Sequence, residues 1–216
     1  MDHRLVAWAR GVKARQRWHT SAARRVPVLW LFTDAVRLAD PSAAVAALPR
    51  LLCGVVFRHD GVAGRDALAR TLAQQCHRLG VPLVVAGDDR LAAAVGAGVH
   101  LRGGCRPMKP GMRGLKHWRR PETLLTSSAH SWIELRRALA AGADAVFLSP
   151  MLPTQSHPGA PARGIVRWVT LAGRASRRRN AVLALGGVDG MAVRRLPRWC
   201  VGAGAIGALL AAGDVA

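Results

Sequence analysis

Acidic residues are scarce in this chain. Its 216 residues hold 12 Asp and Glu against 32 Lys and Arg, a formal net charge of +20. Glutamate stands only at Glu122 and Glu134, and tyrosine is absent. So basic a chain attracts anions: nucleic acid, an acidic membrane surface or phosphorylated small molecules. The arginines are scattered as well as clustered, and alanine and glycine also abound, so a genome-wide compositional bias is an equal explanation.

Other absences narrow the field. No apolar run nears the roughly twenty residues that span a bilayer. The basic N-terminus is not followed by an apolar core and a cleavage site, so no secretory signal is read and a cytoplasmic protein is expected. Cys53, Cys76, Cys105 and Cys200 form no C-x-x-C pair and no Cys/His spacing that suits zinc, which reads as buried free thiols in a reducing compartment. No G-x-G-x-x-G follows the first strand candidate, which weakens a dinucleotide reading.

What is present is regular alternation. Residues 1–26 read as a basic extension, with Arg4, Arg10, Lys13, Arg15, Arg17, Arg24 and Arg25 against Asp2. The extension is either disordered or docked on the body through Leu5, Val6, Trp8 and Ala9. Residues 27–216 read as one domain. Short apolar runs bounded by turn residues predict strands at 28–32, 54–57, 82–86, 98–101, 123–126, 145–148, 181–185 and 199–201. Helical patterns at 41–48, 65–79, 90–95, 131–140, 165–175, 189–196 and 204–212 lie between and after them. Asp40 is the expected cap of the first of these, and Gly80 the stop of the second. The segment 102–120, with Arg102, Arg106, Lys109, Arg113, Lys116, Arg119 and Arg120, reads as a long basic loop. This order predicts a (β/α)8 TIM barrel, with a doubly wound sheet as the runner-up.

In such a barrel the residues just after each strand line the mouth. In order they are Thr33-Asp34, Arg58-His59-Asp60, Asp88-Asp89, His100 to Arg102, Ser128 to His130, Thr154-Ser156-His157, Gly186-Gly187 and the glycines around Gly204. Arg58 offers a forked cation suited to phosphate. Thr154 and Ser156 offer small hydroxyls, and Gly186-Gly187 offers backbone N–H groups to an anion. Asp34, Asp60, Asp88 and Asp89 are the carboxylates placed to hold Mg²⁺, or in the case of Asp88 or Asp89 simply to cap the next helix. His130 is either a general acid or base or a histidine at a helix start without chemistry.

These strand ends resemble the thiamine phosphate synthase and thiazole tautomerase family. The resemblance runs from about Leu29 to Leu210. It rests on LFTD at Leu31–Asp34, GAGVHL at Gly96–Leu101, SAHS at Ser128–Ser131, GADAVFLSPMLPTQSHPG at Gly142–Gly159 and ALGGVD at Ala184–Asp189. It implies a barrel, often dimeric, in thiamine biosynthesis. A synthase of this kind joins an aminopyrimidine methyl diphosphate to a thiazole phosphate and releases pyrophosphate. By motif, Arg58 would hold the diphosphate, Ser128 the pyrimidine side, and Asp88 the Mg²⁺. Thr154, Ser156 and His157 would sit at the thiazole phosphate, and Gly186 and Gly187 would add donors.

The chain also departs from the family pattern. A glutamine and a lysine are missing around Arg58, Arg102 stands near an expected second metal aspartate, and His157 replaces a lysine. The tautomerase branch moves a proton on a thiazole carboxylate phosphate, and its histidine falls on His130. A third reading is a non-catalytic relative that binds phosphorylated ligands or RNA.

Overall fold

The computed structural model describes residues 1–16, 26–103, 123–154, 161–176 and 181–210. Eight parallel strands close into a barrel in sequence order, β1 through β8, with β8 returning to β1. They are β1 Leu29–Phe32, β2 Cys53–Phe57, β3 Leu83–Ala86, β4 Gly98–Leu101, β5 Leu125–Ala129, β6 Ala145–Leu148, β7 Ala181–Leu185 and β8 Ala203–Ala205. The helices are α1 His3–Gln16, α2 Ser42–Ala46, α3 Arg65–Leu79, α4 Asp89–Ala94, α5 Trp132–Ala140 and α6 Ile165–Ser176. Strands such as LWLF, LVVA and AVFL are apolar throughout because helices cover one face and the barrel interior the other.

Aromatic rings fill the interior. Phe147 meets Trp30 and Phe32 edge-on, with ring centres 5.6 and 4.8 Å apart, and Phe32 meets His100 at 5.6 Å. Burying a ring of this size stabilises by roughly 1.5–3 kcal/mol. Edge-on pairing adds about 1 kcal/mol. The neighbouring strand β8 must be small to admit them. A Cβ on Gly204 would stand 2.6 Å from the Phe32 ring.

That packing explains a correction. The expected eighth strand at 199–201 is not one. Trp199 instead stacks on Trp168 at 6.2 Å, and the strand is the Ala203-Gly204-Ala205 run, which pairs with β1 and β7. Gly204, expected to open a last helix, is a strand residue; a single 3-10 turn, Gly207–Leu209, is what the described residues hold there. The helix expected at 189–196 is likewise only a turn at Val193–Arg195, halted before Pro197. The fifth strand begins two residues late and runs to Ala129, because Thr126 and Ser128 turn inward toward His100 rather than ending the strand.

Residues 3–16 form a helix that packs on this side of the barrel. Leu5, Val6, Ala9 and Val12 are buried. The Asp2 carboxylate accepts the N–H of Gly190 at 2.7 Å, and Gln16 Nε2 donates to the Val201 carbonyl at 3.1 Å. Gly80 ends α3 in a left-handed conformation, and Asp40 accepts the Ser42 N–H at the entry to α2. Cys53, Cys76 and Cys200 are buried free thiols, and burial pushes them up to about 12, 12 and 11. Cys105 lies outside the described residues, as do most of the 102–120 loop and of the basic run at 177–179. Among the described residues no helix is long and apolar enough to cross a membrane.

Candidate active site

A cavity of about 890 Å³ opens at the carboxyl ends of the strands. Arg58, Ser128, His130, Thr154, Gly186 and Gly187 all line it. Ser156 and His157 lie outside the described residues.

Arg58 follows β2 directly. A buried relay fixes its backbone. Its N–H donates to Thr33 Oγ1 at 2.9 Å, and that hydroxyl meets His59 Nδ1 at 3.0 Å. The other ring nitrogen, Nε2, faces two acceptors, the carbonyls of Leu38 and Ala39, each at 3.1 Å. Nε2 therefore carries the proton, and Thr33 donates to Nδ1. The Arg58 side chain lies over the Phe32 ring, 5.9 Å from its centre. Among the described residues its guanidinium makes no hydrogen bond and no ion pair. Burial pushes it below its ordinary value, while Asp34 and Asp60 act in the opposite direction.

Ser128 is set by β4. Strand register places His100 beside Thr126. The imidazole bridges Thr126 Oγ1 through Nδ1 and Ser128 Oγ through Nε2, both at 2.8 Å. Burial, followed by the charges of Arg58 and Arg102, pushes His100 down to about 3. It is therefore neutral, one nitrogen donating and the other accepting, and it orients the Ser128 hydroxyl. His100 was read as a mouth residue without a role; its partner 28 residues away shows only in three dimensions.

His130 sits where β5 enters α5. Ser131 caps that helix by accepting the Glu134 N–H at 3.1 Å, and Glu134 reaches back to the His130 N–H at 2.6 Å. This capping box holds the histidine in place. Its Nδ1 lies 3.1 Å from Ser149 Oγ, a cavity residue that the sequence reading passed over.

The far rim is built from backbone. The segment after β6 pairs with that after β7 through Met151 N–H to Leu185 O at 2.8 Å and Leu152 N–H to Gly186 O at 3.1 Å. Gly187 has φ of +62°, and a Cβ there would stand 2.6 Å from Leu152 Cβ and Pro153 O. Only glycine suits that conformation at that distance. Thr154 closes the segment at the cavity edge.

Of the four carboxylates at the first three strand ends, Asp34, Asp60 and Asp88 are already engaged, and Asp89 is the first residue of α4. Asp34 accepts the N–H groups of Val36 and Arg37 and pairs with Arg37 at 3.2 Å. Asp60 pairs with Arg65 at 3.6 Å and with Arg102. Asp88 caps α4, with Oδ1 2.9 Å from the Leu91 N, and its Oδ2 takes Arg65 Nη1 at 2.7 Å. The Leu91 N–H and then Arg65 hold it below the usual carboxylate range. Among the described residues no three His, Cys, Asp or Glu side chains gather as a metal would need. Mg²⁺ is usually held by one or two carboxylates together with substrate phosphate oxygens and water; here Asp60 and Asp88 already share the Arg65 guanidinium, which such an ion would have to displace.

The architecture defines a parallel β/α barrel with a polar cavity at the end where such barrels carry their chemistry. A profile of the thiamine monophosphate synthase family matches residues 46–207, and the chain belongs to that family. The thiamine-phosphate synthase of Thiobacillus denitrificans is 36% identical over 148 residues, 66% of each chain. That of Geobacillus thermodenitrificans is 34% identical over 110 residues, 48% of each. The chain thus matches about half to two thirds of the length of these curated relatives. The thiamine phosphate pyrophosphorylase from Pyrococcus furiosus shares the fold, with a TM-score of 0.69 at 20% identity over 89% of this chain and 91% of that one.

Proposed function

We propose that this chain couples an aminopyrimidine methyl diphosphate to a thiazole phosphate, giving thiamine phosphate and pyrophosphate. The observation that carries the reading is one cavity with a guanidinium, unpaired among the described residues, on one rim and a glycine turn on the other. Arg58 supplies a fixed cation for the diphosphate. Among the described residues the N–H groups of Gly187 and Gly207 meet no acceptor, and with Thr154 they suit the smaller phosphate. Ser128, oriented by His100, lies between the rims and suits the polar edge of the pyrimidine.

In the reaction the methylene C–O bond breaks and its electron pair leaves with pyrophosphate. The thiazole nitrogen lone pair then forms the new C–N bond. The protein's task is to hold two anions in line and to stabilise charge on the departing one. No general base is needed for the bond exchange, so His130 positions substrate together with Ser149.

The test is incubation of the purified chain with both substrates, read as thiamine phosphate formed. Product is expected, and its absence from folded protein overturns the reading. A second reading, proton transfer on a thiazole carboxylate phosphate, draws on the His130 imidazole at the cavity. His130→Ala separates the two: it is expected to impair coupling but to stop tautomerisation.

A further inference from the structure

We propose that the diphosphate in this protein is neutralised by a fixed guanidinium cluster rather than by a divalent cation, so that its binding is independent of metal. The inference rests on the reading of the Arg58 rim as the diphosphate side.

Arg65 stands at the first turn of α3. Its Nη1 lies 2.7 Å from Asp88 Oδ2 and its Nη2 3.6 Å from Asp60 Oδ1. The guanidinium therefore stands between the two carboxylates, in the place where a bridging cation would have to sit. It is not a loosely held surface side chain. It is 14% exposed, and its carbon lies 5.8 Å from the centre of the Phe57 ring. Nη2 also reaches the Ala86 carbonyl at 3.4 Å. A divalent ion entering here would have to displace a packed, multiply bonded cation. It would also have to take Asp88 Oδ1 from the Leu91 N–H that it caps.

Asp60 has a second guanidinium on its other oxygen, that of Arg102. Arg102 leaves β4 and lies over Gly87, where a Cβ would come within 2.6 Å of its Nε. Its side chain is half exposed, and it lines the cavity with Arg58. One edge of the cavity thus presents Arg58 and Arg102, with Arg65 behind them between the two aspartates; the three guanidiniums exceed these two carboxylates by one charge. Guanidinium forks match phosphate oxygens in pairs and stay charged at any working pH. Facing a diphosphate, Arg58 and Arg102 supply forked donors and a net positive charge at the edge where a divalent ion would otherwise act.

Calorimetric titration of the full chain with inorganic pyrophosphate decides the matter. Binding is expected in EDTA, and excess Mg²⁺ should leave the apparent affinity unchanged or weaken it by sequestering the free anion. Arg102→Ala, at an exposed position, should lower the affinity about tenfold in EDTA. Mn²⁺ alone, followed by its magnetic resonance signal, should remain free in the presence of the protein. Pyrophosphate binding that needs Mg²⁺, or stoichiometric Mn²⁺ uptake, overturns the proposal and leaves the coupling reading standing. Pyrophosphate binding under neither condition overturns both.

Discussion

The two rims of the barrel mouth solve one problem in different ways. The rim after β1 to β4 is made of side-chain charge: Asp34 with Arg37, Asp60 and Asp88 with Arg65, Asp60 with Arg102, and Arg58 left unpaired among the described residues. The rim after β6 to β8 is made of backbone, with glycines at 186, 187 and 207 and the hydroxyl of Thr154. Side-chain cations respond strongly to charge that grows at a distance, because their field is long-ranged and unpaired charge is little screened in a cavity. Backbone N–H groups are short-ranged donors that grip a phosphate whose charge stays the same. Under the proposed reaction the diphosphate gains negative charge as it leaves and the thiazole nitrogen becomes cationic, while the phosphate of the thiazole substrate keeps its charge. The division of labour between the rims therefore follows the division between leaving group and bound substrate.

Breaking the ionic rim should have the largest effect. Arg58→Ala removes a cavity-lining cation that, among the described residues, has no carboxylate of its own. We expect kcat for coupling to fall by at least about 100-fold, the cost of losing one well-placed stabiliser of transition-state charge. The KM for the thiazole phosphate should stay within about twofold. Circular dichroism should be unchanged, since the relay through Thr33 and His59 holds the backbone and not the guanidinium. Unaltered turnover would remove Arg58 from the site.

The glycine rim should fail differently. Gly187→Ala forces a side chain into a left-handed conformation, 2.6 Å from Leu152 and Pro153. A loss of roughly 3 kcal/mol in stability is expected from strain and overpacking together. Thermal or urea unfolding measures it. In the fraction that folds, the KM for the phosphate substrate should rise while kcat is nearly kept. A variant that loses kcat instead would erase the contrast between the rims.

Much of this was legible in the chain, and what was not has a physical reason. Strands such as AVFL at 145–148 announce themselves because two buried faces demand an unbroken apolar run. Arg58 and the two glycines are visible because a barrel strand delivers its next residue to the mouth, whereas Ser128 lies within β5 and reaches the cavity from the strand itself. Ala203–Ala205 carries no strand signal of its own. It is a strand through its pairing with β1 and β7, and the Phe32 ring on the adjacent β1 leaves no room for a side chain at Gly204, a fact about a neighbour far away in sequence. The service of Asp88 to Arg65 was equally hidden. An aspartate before a helix reads as a cap or as a metal ligand; Asp88 is the cap, and its second oxygen holds a partner 23 residues earlier in the chain. His59 and His100 looked like chemistry, yet their bonding makes one a brace for Arg58 and the other a brace for Ser128.

His100 lies between the rims and offers the smallest of the expected effects. Its folded value is about 3, held there first by burial and then by Arg58 and Arg102, against an ordinary 6.5. The sign follows from proton counting. Between those two values the unfolded chain binds a proton at this site and the folded chain does not, so stability falls as pH falls. The contribution is fully present above about pH 6.5 and is lost progressively toward pH 3. From pH 7 to pH 5 the loss should be roughly 2 kcal/mol, read from urea unfolding at each pH. His100→Gln keeps a donor and an acceptor for Thr126 and Ser128 but cannot titrate, so the same interval should cost the variant about 2 kcal/mol less than the parent. An equal pH dependence in the two would mean that His100 takes up its proton within the fold. Ser128 would then have a cation rather than a neutral ring behind it, and the space between the rims would no longer be neutral ground.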